Sequence, residues 1–256
     1  MVGRSKFERI FVPSSEAGTN LELVVARPGC DGPFPTIVFN HGSTGSGRNN
    51  AVSKRTIYPE VIANYFADRG WMTIFPQRRG RGKSGGVYGE GLASNGSGYS
   101  CDTDIALAGF ERAVADIDDV VRNLGCLHDA DQSRLLIGGV SRGGILAIAY
   151  AGMRPGTFRG AINFNGGWLG RACPSHETVN PQLFERGAQA GVPTLWVHGS
   201  YDQYYRIGHC RGNFERFLSS GGQGHFVSAA GGHALMFKPA LWTPHLDDYL
   251  SRLFPA

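Results

Sequence analysis

The sequence predicts an α/β protein with a mostly parallel central sheet of about seven or eight strands and helices on both faces. Three observations lead there. Short apolar runs that stop at glycine or a polar turn recur along the chain, stretches with helical spacing alternate with them, and the 38 glycines gather at the ends of the runs. Strands that read as continuous apolar runs are covered on both faces, as parallel strands between helical layers are. Glycines placed at run ends mark tight strand-to-helix turns, not a linker.

Taken in order, KFERIFVPSS near the N-terminus and LELVVARP (21–28) suit an antiparallel edge. The further strand signals are PTIVFNHG (35–42), WMTIFPQ (71–77), RLLIGGVS (134–141), GAINFNGG (160–167), PTLWVHGS (193–200) and GHFVSAAGG (224–232). Between them, YPEVIANYFADRG (58–70) spaces its apolar positions at three and four and stops at Gly70. TDIALAGFERAVADIDDVVRNLG (103–125) does the same for longer, with Asp104 early and Gly125 at its end. GGILAIAYAGMRP (143–155), IGHCRGNFERFLSSGG (207–222) and LWTPHLDDYLSRLF (241–254) are the remaining helical patterns. No linker or internal repeat interrupts the series, and 256 residues suit one domain, with 86–102 and 168–192 as small lid segments.

Composition narrows the function classes. The formal charge of +4 is modest, and basic residues are scattered apart from RRGRGK (78–83), so no nucleic-acid stripe is expected. The opening MVGRSKFERIFVPSS lacks the apolar core of a signal peptide, and no uncharged stretch is long enough for a bilayer. The expectation is a soluble, cytoplasmic protein, or a secreted or periplasmic one if a leader was removed. Cys30, Cys101, Cys126, Cys173 and Cys210 show neither CxxC nor ligand spacing with histidine. They are expected as isolated buried thiols with room for one surface disulfide, and no metal site is expected.

Reactive groups in such sheets collect where strands end. Gly139-Val140-Ser141-Arg142-Gly143 fits G-x-S-x-G between a strand and a helix, the setting in which a serine is lifted onto a strained corner above a helix N-terminus. A hydroxyl becomes a nucleophile only with a base and an oriented acid. Asp202, in the loop after PTLWVHGS, and His233, in the glycine turn after the last strand, supply them in the order serine, acid, histidine. Of the competitors, His225 precedes the last strand, His245 sits in a helical pattern, and His198 reads as a buried, hydrogen-bonded neighbour. Glu177, Glu185, Asp247 and Asp248 lack strand-end positions. Donors for an oxyanion are the amides of Arg142 and of Ser43, in FNHGSTGSG (39–47), with Thr44 the choice if the register differs by one.

Gly80, Gly82 and Gly85 satisfy G-x-G-x-x-G, but no helix opens behind them, and Gln77 stands where a phosphate-binding loop ending at Gly82-Lys83-Ser84 needs glycine. A flexible basic loop is left. Arg142, with Arg78 or Arg81, either favours an acidic or strongly polar substrate or is solvated. Trp168, Tyr204 and Tyr205 are candidate pocket walls.

NHGSTGSG, RRGRGKSGG, GGVSRGG, HGSYD and GGHAL together resemble the α/β-hydrolase superfamily over roughly residues 35 to 235. The small size and PQRRGRGKSGG are most similar to the dienelactone-hydrolase-like and prolyl-oligopeptidase-like branches. The resemblance implies Ser141 as nucleophile, His233 as base, Asp202 as its partner, Ser43 and Arg142 as oxyanion donors, and no cofactor. The chain departs by carrying serine where dienelactone hydrolases have cysteine, and by leaving no room for a propeller domain. The expected function is hydrolysis of a small-molecule carboxylic ester. A peptidase, amidase or acyltransferase on the same triad and a non-catalytic binding protein are the alternatives.

Overall fold

The computed structural model describes residues 5–43, 45–47 and 54–255. The chain divides into two compact units, Met1–Leu135 and Leu136–Ala256.

In the first unit, β1 (Lys6–Pro13) pairs antiparallel with β2 (Asn20–Arg27), β2 antiparallel with β4 (Met72–Pro76), and β4 parallel with β3 (Phe34–Asn40). Helix α1 (Glu60–Ala67) makes the crossover between β3 and β4. It ends where the sequence marks it: Gly70 takes φ 74°, and the Trp71 amide bonds back to the Phe66 carbonyl at 2.9 Å. Helix α2 (Thr103–Arg122) starts on Asp102, whose side chain accepts from the Ile105 amide at 3.0 Å. It stops three residues before the expected Gly125, because a 3₁₀ turn over Leu124–Cys126 follows it. Leu21, Leu23, Val25, Ile62, Phe66, Ile74, Phe110 and Ile117 form the buried centre of this unit.

In the second unit β5, β6 (Gly160–Phe164), β7 (Pro193–Gly199) and β8 (Gln223–Ala229) pair in parallel in chain order. Strand β5 (Ala130–Val140) begins in the first unit and carries its buried half in the second. The crossovers are α3 (Arg142–Met153), α4 (His176–Gly187) and α5 (Ile207–Ser219), and α6 (Thr243–Leu253) closes the chain. Parallel pairing therefore dominates among the eight strands, as the apolar runs predict.

Helix α4 occupies the middle of segment 168–192, where the sequence shows no helical pattern. Polar residues and an internal Pro181 mask three buried anchors, Val179, Leu183 and Phe184. Helix α3 is buried on every side from Ile145 to Ala151, which is why it is apolar all round. Trp196 of β7 centres the aromatic core, with ring centroids 4.4 Å from Phe184, 5.2 Å from Phe214 and 5.4 Å from Phe217.

Helices α3 and α4 meet backbone to backbone. A Cβ at Gly152 would lie 2.4 Å from the carbonyl of Gly187. Gly152→Ala therefore destabilises the fold by about 1–3 kcal/mol, read in calorimetry as a melting point several degrees lower. Gly212, on an open face of α5, has nothing within 4 Å of its Cβ position. Gly212→Ala gains about 0.5–1 kcal/mol from helix propensity. An unchanged melting point in Gly152→Ala would refute the close contact.

Candidate active site

The corner between β5 and α3 is occupied by Ser141, with φ 57° and ψ −123°. A side chain at positive φ is costly, by about 1–3 kcal/mol, and the backbone here is tied down on all sides. The Ser141 amide donates to the Phe164 carbonyl at 2.9 Å, and its own carbonyl accepts from Gly144, Ile145 and Gly167. Gly144 is required for contact reasons: a Cβ there would stand 2.4 Å from Asn163 Oδ1 and 3.2 Å from the Gly139 carbonyl. The Arg142 amide occupies the first position of α3, where no intrahelical acceptor exists.

Asp202 lies three residues past β7 and His233 four past β8. Asp202 Oδ2 is 2.8 Å from His233 Nδ1. Its other oxygen accepts from the amides of Tyr204 at 2.7 Å and Tyr205 at 3.1 Å. The carboxylate is thus fixed by the backbone of its own loop. With the ring proton on Nδ1, the arrangement leaves His233 Nε2 as an acceptor. Tyr204, 52 % exposed, sets its ring at 4.7 Å from the imidazole, and the buried Tyr205 ring lies at 5.6 Å.

The Tyr205 hydroxyl donates to the Gly167 carbonyl at 2.7 Å. Burial pushes its pKa up to about 12, against a hydrogen bond with the Ser141 side chain that pulls it down. A Ser141–His233 hydrogen bond is not among those of the described residues. In resting sites such bonds are often long and tighten when substrate is bound.

Other expected residues fall elsewhere. His198 is buried, with its Nε2 3.4 Å from Asn163 Nδ2 and its Nδ1 unpartnered among the described residues, and burial lowers its pKa to about 3. His225 is the third residue of β8 instead of preceding it, and His245 is exposed on α6. Glu177 and Glu185 lie on α4, Asp247 and Asp248 on α6.

Arg142 corrects both expectations for it. Its side chain is buried, donates from Nε to the Trp168 carbonyl at 3.0 Å, and lies 4.3 Å from the centre of the Trp168 ring. That contact answers the unfavourable placing of a cation at a helix start. Trp168 itself is only 1 % exposed.

The first unit holds the Ser43 loop, and Thr44 lies outside the described residues. His41, beside it, places Nδ1 2.7 Å from the Gly42 carbonyl, and its Nε2 accepts from the Arg78 amide at 3.4 Å. Burial, then the Arg78 charge, holds its pKa well below the ordinary value. The arginines of the basic run are buried and not solvated, a second correction, while Lys83 is exposed. Arg78 is fully buried, pairs with Glu90, and donates to the His41 carbonyl at 3.2 Å from both Nη atoms. Arg79 pairs with Asp116 and Glu16, and Arg81 donates to the Tyr99 hydroxyl while its guanidinium lies 3.8 Å over the Tyr88 ring.

Cys30 and Cys126 are exposed free thiols, not buried ones, and Cys210 is free and buried. In the first unit Cys101 is disulfide-bonded, and so is Cys173 in the second. No cluster of three potential metal ligands occurs among the described residues, and no helix there is long and apolar enough to cross a membrane.

The phospholipase/carboxylesterase family profile matches residues 97–236, just over half the chain and the whole interval from before Ser141 to beyond His233. The chain belongs to that family. Solved structures share its fold at low identity. An esterase of Pyrococcus furiosus is 14 % identical with a TM-score of 0.69, over 97 % of this chain and 91 % of that one. Est1E of Butyrivibrio proteoclasticus is 14 % identical with a TM-score of 0.65, over 96 % and 98 %. An acylaminoacyl peptidase of Pyrococcus horikoshii is 16 % identical with a TM-score of 0.64 over 92 % of this chain, which spans only 38 % of that protein. No curated protein matches the chain in sequence. Membership of the phospholipase/carboxylesterase family makes this an esterase/peptidase-like α/β hydrolase.

Within this family member, two features went unread in the sequence: the Tyr205 hydroxyl beside Ser141, and Asn165, at the end of β6. Asn165 takes φ 47°, and an asparagine closing a strand before two glycines is the one signal for it, since asparagine tolerates the left-handed region.

The buried carboxylates give a pH test. For Glu90, burial acts to raise the pKa, but the charge and hydrogen bond of Arg78 prevail and bring it from 4.5 to about 2. A depressed pKa means that the unfolded chain binds more protons, so the stabilisation is present above the unfolded value and lost as pH falls through the folded one. Asp116 runs the other way, raised to about 6 by burial despite Arg79. In acid-denaturation series, the difference between wild type and Glu90→Gln should shrink as pH falls from about 4.5 to about 2. A pH-independent difference would refute the assignment.

Proposed function

We propose that the protein is a serine hydrolase that cleaves carboxylic esters of small molecules by acyl transfer. The observation that carries this reading is the 2.8 Å contact between Asp202 Oδ2 and His233 Nδ1 in the same unit as a serine held at positive φ above a helix N-terminus. In the first step Ser141 Oγ attacks the ester carbonyl carbon while its proton passes to His233 Nε2. The Asp202 carboxylate stabilises the imidazolium without taking the proton. The amide of Arg142, at the first position of α3, serves as donor to the charge developing on the carbonyl oxygen, aided by the α3 N-terminus. The second amide, Ser43, is assigned on the sequence reading alone. Collapse of the tetrahedral species delivers the proton from His233 to the leaving alkoxide. Water, deprotonated by the same nitrogen, then releases the acid and restores Ser141.

Half-exposed Tyr204, edge-on to His233, suits contact with a bound substrate. The reading needs no metal or organic cofactor. The disulfide-bonded cysteines support an oxidising compartment over the cytoplasm expected from sequence.

The test is activity-based labelling with a fluorophosphonate, together with turnover of matched ester and amide substrates. Wild type should label on Ser141 and hydrolyse esters with a burst. Ser141→Ala should lose labelling and about 10⁴-fold or more of kcat. Asp202→Asn should keep slow labelling and lose roughly 10³–10⁴-fold. Absence of labelling in wild type would favour a binding protein, and preference for amides a peptidase.

A further inference from the structure

Among the described residues only two non-glycines take positive φ, Ser141 at 57° and Asn165 at 47°. Backbone strain of this kind persists where surrounding structure enforces it, and it gathers at functional sites. For Ser141 the purpose is the lifted hydroxyl. Asn165 has a different geometry to explain.

Asn165 directly follows β6, the strand between the one that leads to Ser141 and the one that leads to Asp202. Its amide extends the β6–β7 ladder by donating to the Val197 carbonyl at 3.0 Å. Its side chain then spans two loops. Oδ1 accepts from the Gly199 amide at 2.7 Å, at the last residue of β7 and three before Asp202. Nδ2 donates to the carbonyls of Gly232 and His233, both at 3.0 Å. All of the carboxamide's hydrogen-bonding capacity in this direction goes to the backbones that carry the acid and the imidazole, and the residue is fully buried.

We infer that Asn165 is a positioning residue: it fixes the His233 backbone relative to the end of β7 so that the imidazole stays over Asp202. This rests on the serine-hydrolase reading. Turns of glycine, such as Gly231-Gly232, do not hold a histidine by themselves, since glycine restricts the backbone least of all residues. The Asp202 carboxylate is held by its own loop through Tyr204 and Tyr205; the turn before His233 takes one bond from that loop, the Tyr201 amide to the Gly231 carbonyl at 2.9 Å, and Asn165 adds the two that reach Gly232 and His233. A carboxamide is the group that serves, because it offers a donor to carbonyls on one side and an acceptor to an amide on the other.

Two variants separate the parts. Asn165→Asp keeps a residue that tolerates the left-handed conformation and keeps the acceptor for Gly199, but removes the amide donor to Gly232 and His233. Asn165→Gly keeps the backbone conformation and removes all three side-chain bonds. Each would be assayed with p-nitrophenyl acetate below its own melting temperature, with kcat expressed per folded molecule and fluorophosphonate used to titrate the serine. Both variants should still label to completion, with labelling rate and kcat lower by roughly 10²-fold, the scale of a small misplacement of a reacting group, and with KM little changed. A downfield proton resonance of His233 Nδ1, expected in wild type from its 2.8 Å contact with Asp202, should broaden or vanish in both.

A purely structural residue would lower the melting point alone. Wild-type kcat per folded molecule in either variant, or an intact downfield resonance in both, would overturn the inference. Should wild type itself fail to label, the fault would lie with the serine-hydrolase reading and not with Asn165.

Discussion

A serine forced to φ 57° is tolerable only where backbone groups and glycines close around it, and the second unit is arranged to satisfy that demand. Three amides converge on the Ser141 carbonyl, β6 supplies the acceptor for its N–H, and the vacancy at Gly144 lets Asn163 approach. Relaxation to ordinary φ would turn the hydroxyl down into the sheet and break the ladder with β6. The strain and the placing of the serine side chain are one property of the turn. The apolar run of α3 from Ile145 to Ala151 follows from the same demand, because a helix that must point its first amide at this corner lies buried against its neighbours.

Histidines illustrate how environment chooses function. His41 and His198 are buried with their charged forms disfavoured, His198 to about 3, so both stay neutral at ordinary pH and act as hydrogen-bonding spacers. His233 is the partly exposed ring with a carboxylate on one nitrogen and the other left open. The arginines follow the same logic. Arg78 and Arg79 are consumed by Glu90, Asp116 and Glu16, so a basic string in the sequence becomes an internal electrostatic frame and not a docking surface.

The strands, their alternation with helices and the antiparallel edge were legible because each has a local signature in apolar runs and glycine corners; the Asp202–His233 contact joins two residues that the sequence singled out by their places after strands. Helix α4 was not legible, because its buried face rests on Val179, Leu183 and Phe184 within a polar, proline-containing stretch. The fate of the RRGRGK arginines was also hidden. Their carboxylate partners at 16, 90 and 116 lie up to 63 positions away, and ion pairing carries no periodic mark. Arg142 misled for the opposite reason. A cation beside a nucleophile invites a substrate role, and its true partner, the Trp168 carbonyl and ring, is a tertiary contact 26 positions on. Asn165 was invisible as a bridge because its three partners are backbone atoms, which no residue pattern encodes.

Asn165 is followed directly by Gly166. In an unstructured chain such a pair readily loses ammonia through a cyclic imide, because nothing hinders the glycine nitrogen from reaching the side-chain carbonyl carbon. In the native protein both ends of the carboxamide are engaged, by Gly199 on one side and by Gly232 and His233 on the other, so the ring cannot close. Each excursion to the unfolded state therefore exposes a chemical clock that the folded state stops, and a chain that ages there returns with an altered link between its acid and imidazole loops.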